Sequence, residues 1–446
     1  MTTGRRLRVL LLALLLIGAP AVILNLACVG KSCPTTSVAK ADVPFCPLPD
    51  ELRTLLENGF YKGRSPDVFA VAKGPDVHGG TGGKASGAAP MWPDPGQVSA
   101  TTVPIVLYGD GVIPGADIPD VTGMDQIAPT LANIAGLDRG HPEVRAGVAI
   151  DGVWKKATPA LIVMVGIKDL GSPSAQYWPY LASLMKQGSS TLAGSAQSLP
   201  VDSAATLTTF GTGGLPSQHG ITGSLMRNGT GALTPAWGAN APGSVVASLA
   251  DDLDYKSGNE PLVGMVATDA SDRGLIGDGW YTLGADSDPF VVTQPTKVAD
   301  AVAKMLSENF GSDNQTDLIG VTLDGSRPSI ADAELQAIVK AATAASGGSL
   351  TVAVAGTGSA TAPGKDAVTA MSVVLQVQDT VGAPGVVETA VPGGLFLNQQ
   401  VLSDRGLPAG EIVDALADTT NEKTGQPLML DAYPAFSVSF ARYCGR

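Results

Sequence analysis

The chain reads as an α/β protein with a mostly parallel sheet sandwiched by helices. Three observations point there. Short runs that are apolar almost throughout recur along the sequence, as strands covered on both faces require. Helical patterns fall between these runs, and such alternation makes βαβ units. Hydrophobic residues make up 44% of the 446, against 15% charged, which is enough apolar material for a sizeable core.

The elements follow in order. The opening stretch "GRRLRVLLLALLLIGAPAVILNLAC" sets Arg5, Arg6 and Arg8 before an apolar run over residues 9–27. That run is long enough to span a bilayer and also resembles an uncleaved signal sequence. The basic residues before it place residues 1–28 as a membrane anchor or signal segment. The bulk of the chain is then extracytoplasmic, at the cell membrane or secreted. Residues 29–49 read as a Cys-containing linker, and "PDELRTLLENGF" as the first helix of a domain covering residues 50–446. Strands are expected at 67–72, 103–109, 160–166, 262–268, Asp317–Asp324, Leu350–Gly356 and 372–378. Helices are expected in "MDQIAPTLANIAG", "QYWPYLASLMKQG", "GSVVASLADDLD", "TKVADAVAKMLSENF" and "SIADAELQAIVKAATAAS". The last of these carries Ser329 and Asp332 in a capping-box spacing. "GGTGGKASGAAP" reads as a flexible loop, and it lacks the glycine and Ser/Thr positions of a phosphate-binding P-loop.

The net charge of -13, with no Lys/Arg cluster after Arg8, excludes a nucleic-acid partner, which needs a basic face. The cysteines, Cys28, Cys33, Cys46 and Cys444, match no zinc spacing. Outside the cytoplasm disulfides are the default. A short local loop favours Cys33 with Cys46, leaving Cys444 for Cys28 or free.

In such a sheet, chemistry sits beyond the carboxyl ends of the strands. The stretch "VDSAATLTTFGTGGLPSQHGITG" puts Ser203 among small residues at a helix start, where free N–H groups and positive potential suit an anion. Asp202 and Ser203 are also ordinary N-cap residues. Arg227, shortly after, is a candidate to pair with phosphate, or a solvated surface arginine.

"DSAAT" followed by "PSQHGITG" resembles the nucleophile segment of the alkaline phosphatase superfamily, in its nucleotide pyrophosphatase/phosphodiesterase-like branch. The resemblance implies Ser203 as nucleophile and His219 as a structural turn residue. "SPDVFAVAKGPDVHGGTGG" and "VPIVLYGDGVIPGADIPDVTGMDQIAPTLANIAGL" resemble a block that lies after the nucleophile in that family but precedes it here. The chain therefore resembles a circularly permuted member, with a permuted block at 50–152 and a nucleophile block at 153–446. One continuous sheet should then contain 67–72, 103–109, 160–166 and Leu350–Gly356, with His78 near Ser203. The rival picture gives residues 50–152 a sheet of their own.

The resemblance also implies a two-zinc site, and here the pattern departs. His78 matches a ligand, but the first-strand aspartate falls at Gly166, with Asp169 three residues on. Asp324 lacks its partner histidine, and Gly356, Thr357 and Gly358 stand where an Asp-His-Gly is expected. Three readings stay open. One is a reduced site of His78, Asp169 and Asp324 beside Ser203, holding a single divalent metal (Zn, Mg or Ca) and acting on a phosphate-ester small molecule. Another is an inactive pseudoenzyme that binds an anionic ligand or a cell-envelope partner. The third is a metal-free serine hydrolase, with neither a GxSxG elbow nor an evident base.

Overall fold

Runs rich in Val, Ile and Leu become strands that are buried on both faces. In β2 every residue from Leu161 to Ile167 is buried, and alternate side chains serve two different cores. The structure, a computed structural model, describes residues 45–81, 84–175, 177–277, 280–281, 290–359 and 362–444. Its central seven-stranded sheet comprises β1 (Thr102–Gly109), β2 (Leu161–Lys168), β3 (Ser189–Ser195), β4 (Val263–Ala267), β5 (Phe290–Thr293), β6 (Asp317–Asp324) and β7 (Leu350–Gly356). The order across the sheet is β5-β4-β6-β2-β7-β1-β3. The first five of these run parallel to one another, and β1 pairs antiparallel with both β7 and β3. The mostly parallel sheet expected from the alternation is present.

Helices cover both faces. The longer helices of the described residues are α1 (Asp50–Gly59), α2 (Ile127–Ala135), α3 (Pro179–Gln187), α4 (Ser203–Thr212), α5 (Leu249–Lys256), α6 (Val298–Leu306), α7 (Pro328–Ala345), α8 (Ala370–Thr380) and α9 (Ala409–Ala417). On one face Leu131 of α2, Leu207 and Phe210 of α4 and Leu249 of α5 meet Ile162 and Met164 of β2. On the other, Leu181 of α3, Val302 of α6 and Leu335 of α7 meet Val163, Val165 and Ile167. Each fully buried Val, Leu or Ile in these layers contributes about 1.5–3 kcal/mol.

Several expectations are corrected. The strand at Val68–Ala72 forms, but in a separate four-stranded antiparallel sheet with Val387–Val391, Gly394–Leu397 and Met429–Pro434. The chain's last strand claims it, and Phe69 stacks on Tyr433. The glycine-rich stretch read as a loop supplies two strands, Val77–Thr81 and Lys84–Pro90, which join Val368–Thr369 in a three-stranded sheet. Residues 372–378, expected as a strand, lie in α8. Thr369 caps that helix through Ser372 N, and Val373, Val374 and Val377 form its buried face. The Asp332 carboxylate does not cap its own helix. It accepts the Tyr180 and Leu181 N–H groups at the start of α3, at 2.9 and 3.0 Å.

The chain from Val43 to Arg446 clusters as one compact unit. Cys46 is disulfide-bonded to Cys444, which overturns the pairing of Cys33 with Cys46. A local loop was the only guide available from spacing. The fold instead brings the two ends of the unit together, with Phe45 edge-on to Tyr433 at 5.2 Å. The apolar run at 9–27, Cys28 and Cys33 lie outside the described residues. Among the described residues no helix is long and apolar enough to cross a membrane.

Candidate functional site

Alternation along β2 decides what reaches its carboxyl end. Ile162, Met164, Gly166 and Lys168 share one face, the face that α4 covers. A methyl group on Gly166 would overlap the Leu207 side chain, so glycine lets α4 lie close against the strand. Lys168 follows on that face. Its Nζ lies 3.1 and 3.3 Å from the two carboxylate oxygens of Asp272, on the turn Ala270–Leu275 that packs on α4. Asp272 is fully buried and also accepts from Thr268 Oγ1 at 3.0 Å, Thr322 Oγ1 at 2.8 Å and the Asp269 N–H at 3.1 Å. A buried carboxylate so provided with donors has its oxygens satisfied and holds the Lys168 side chain in place beside it.

Asp169 is the first residue past β2 and takes a left-handed φ of 57°, a conformation that costs a non-glycine residue and recurs at functional turns. Burial pushes its carboxyl above the ordinary value; Lys168 pulls it back and Asp324 pushes it further up. Asp324 ends the adjacent strand β6, in register with Lys168. Its carboxylate accepts from Ser326 and from Arg327 Nε at 3.0 Å, bonds that outweigh burial and hold it below the ordinary carboxylate range. Lys168, Asp169, Thr268 and Asp324 open onto a cleft of about 960 Å³ that continues between the first turns of α6 and α7. This is where an open parallel sheet places its ligands.

Ser203 is the first residue of α4 and is half-buried. Its neighbour Asp202 is the N-cap: the Asp202 carboxylate accepts from Ala204 N at 2.9 Å and from Ser224 N and Oγ at 2.9 and 3.0 Å. The helix beyond is unusually rich in buried threonine. Thr206, Thr208, Thr209 and Thr212 each donate their hydroxyl to the carbonyl one turn back, so the helix buries without orphaned hydroxyls. His219 closes the following turn. Its Nδ1 accepts from Ile221 N–H at 3.1 Å and its Nε2 meets Thr209 Oγ1 at 3.1 Å. Burial, with the Arg64 charge nearby, pushes its pKa down to about 3, so the ring is neutral. This is the structural turn role the sequence motif implied.

No family model matches the chain, and no curated protein matches it. Two solved structures do: a mutant of the alkaline phosphatase PafA, with TM-score 0.41, and wild-type PafA, with TM-score 0.40. Each is 12% identical and covers 58% of this chain and 76% of its own.

The expected metal ligands are only partly gathered. Asp169 and Asp324 share the cleft, but His78 lies in the three-stranded sheet, fully buried, with Nε2 2.8 Å from the Pro75 carbonyl. Among the described residues no three His, Cys, Asp or Glu side chains converge as a metal-holding group. The residues present therefore do not fit the two-zinc ligand set. Ser203 does not line the cleft itself; its helix lies on the neighbouring face. Arg227 is neither free nor solvated. Its Nη2 donates to Asp67 at 2.8 Å and to the Leu397 carbonyl at 2.6 Å, its Nη1 to the Gly231 carbonyl at 2.7 Å, and its guanidinium lies over Phe396. It clamps a hairpin to the four-stranded sheet. His141 is an exposed loop residue beside Glu143. What the sequence reading passed over is Lys168 with Asp272. Their one visible trace is a lone cation ending an otherwise apolar run in "LIVMVGIKDLG".

Proposed function

We propose that this chain is an exported, alkaline phosphatase-like protein that hydrolyses phosphate mono- or diesters with Ser203 as nucleophile. The observation that carries the reading is the start of α4: Ser203 opens the helix with its hydroxyl unbonded among the described residues, while Asp202 beside it is fully engaged. Phosphoryl oxygens accept from helix N-terminal N–H groups and gain from the positive potential there. Attack by Ser203 Oγ on phosphorus releases the alcohol, which departs with the serine proton, and leaves a phosphoserine for water to cleave. The branch assignment rests on the "PSQHGI" turn. Of the early block only the segment from β1 to α2 joins the main sheet; Val68–Ala72 and His78 lie in two other sheets, which counts against the one-sheet arrangement the permutation implied. Export is supported by the Cys46–Cys444 bond, which suits an oxidising compartment. The segment at 1–28 is its anchor or signal.

A second reading, an inactive relative that binds an anionic ligand or an envelope partner, is favoured by His78 and Arg227, both committed to structural bonds. One experiment separates the two. The purified full chain is assayed with chromogenic phosphate mono- and diesters, in chelator and with added zinc, magnesium or calcium. We expect turnover that Ser203→Ala lowers roughly a thousandfold or more. Unchanged activity in Ser203→Ala removes Ser203 from the reaction, and no turnover by the wild type under any of these conditions favours the second reading.

A further inference from the structure

A phosphoryl group needs positive charge where its oxygens settle. Among the described residues the zinc ligands that would supply it are not gathered. Among the described residues Lys168, Lys297 and Arg327 line the cleft at the carboxyl ends of the strands, and of these Lys168 is held by a fully buried carboxylate. Lys168 ends the central strand β2, and its side chain emerges on the α4 face. Leu207, one turn after Ser203, packs on Gly166, two residues before Lys168 on the same face.

We infer that the Lys168 ammonium, pinned by buried Asp272, serves as this protein's built-in cation and binds a phosphate oxygen without a metal. The inference rests on the phosphate-ester reading above and adds to it a phosphate-binding cation in the cleft at the carboxyl end of β2, beside the face that α4 covers. Three features support it. Asp272 has no exposure and collects donors from Thr268, Thr322 and the Asp269 backbone besides Lys168, so its charge is compensated in a fixed geometry. The Lys168 side chain keeps 23% exposure and lines the cleft, unlike a lysine sealed inside a structural pair. An ammonium has three donors, and its contacts with the two Asp272 oxygens leave at least one for a ligand. A lysine used this way acts as a point charge, as lysines do in other phosphate sites. Thr268, at the mouth of the same cleft, keeps its hydroxyl on Asp272 and so holds the far side of the pair rigid.

The test is inorganic phosphate binding to the full chain in excess chelator, followed by calorimetry or by phosphorus NMR. We expect binding that persists in chelator and weakens at least tenfold in Lys168→Met and in Lys168→Gln. The glutamine variant keeps a hydrogen bond for Asp272 while removing the charge, so it guards against a mere folding defect. Melting curves show which variants are folded. Phosphate that binds only after divalent metal is added overturns the inference, and so does affinity unchanged in both folded variants. The wild-type measurement in chelator decides even where a variant does not fold, because absence of binding there also overturns it. The outcome is separable from the hydrolytic reading. Ser203-dependent turnover with metal-dependent phosphate binding refutes the Lys168 role alone. Metal-free binding through Lys168 without turnover keeps it and refutes hydrolysis.

Discussion

Asp125 shows how far one side chain can set the behaviour of the whole fold. It is 3% exposed, in the turn before α2, and its Oδ1 has no partner among the described residues. Burial pushes its carboxyl up to about 6, against backbone hydrogen bonds that pull it down. The folded protein therefore holds this proton to higher pH than the unfolded chain, whose value is near 3.8. Between those limits the folded state binds more protons, so this group makes stability fall as pH rises from about 4 to about 6, by on the order of 3 kcal/mol. Asp125→Asn should flatten that slope and raise the melting temperature at pH 7.5 more than at pH 4.5. Equal pH slopes for variant and wild type would count against it. At this scale the sequence was legible where a motif fixes a residue, as at His219. It was opaque where the partner is remote in the chain. Arg227 reads as a free cation until the four-stranded sheet brings Asp67 to it, and Lys168 reads as an ordinary strand end until the turn at Ala270–Leu275 brings Asp272.

At the scale of elements, Asp332 ties two helices together. It sits near the start of α7 but satisfies two N–H groups in the first turn of α3, a region whose donors have no helical partner. Asp332→Ala should cost about 2 kcal/mol in urea unfolding, with most of it recovered by Asn, which keeps an acceptor. No loss in the alanine variant would mean that water replaces the cap. The capping-box spacing in the sequence was present, but Pro328 begins the helix one residue earlier and frees Asp332 to reach across. Residues 372–378 also differ from the expectation, because the helical spacing of their apolar side chains outweighs the strand preference of valine. Valines suggest a strand, yet 373, 374 and 377 are spaced for one helical face, and Thr369 caps it. The long, fully apolar runs were read correctly as β1, β2, β4, β6 and β7, because burial on both faces leaves little else they can be.

For the whole molecule, the parallel sheet was legible, but the assignment of 67–72 to it was not. Nothing in that run distinguishes a strand of the central sheet from one paired with Met429–Pro434, a segment that carries no strong strand signal of its own. The Cys46–Cys444 bond belongs to this scale, since it closes a loop with a sequence separation of 398. Loops of that size gain most from cross-linking in the chain-entropy account, about 6 kcal/mol here, against the about 2–5 kcal/mol that removing a native disulfide typically costs. Cys46→Ser should lower the melting temperature by several degrees, and reduction of the wild type should do the same. A melting temperature that neither treatment moves would show that packing around Phe45 and Tyr433 suffices alone. The bond has another consequence. It makes the backbone between those cysteines a covalent ring, so one protease cut in any loop inside it releases no fragment. A nicked molecule would run as a single species until a thiol reagent opens the bridge, and only a second cut inside the ring would free the segment between the two cuts.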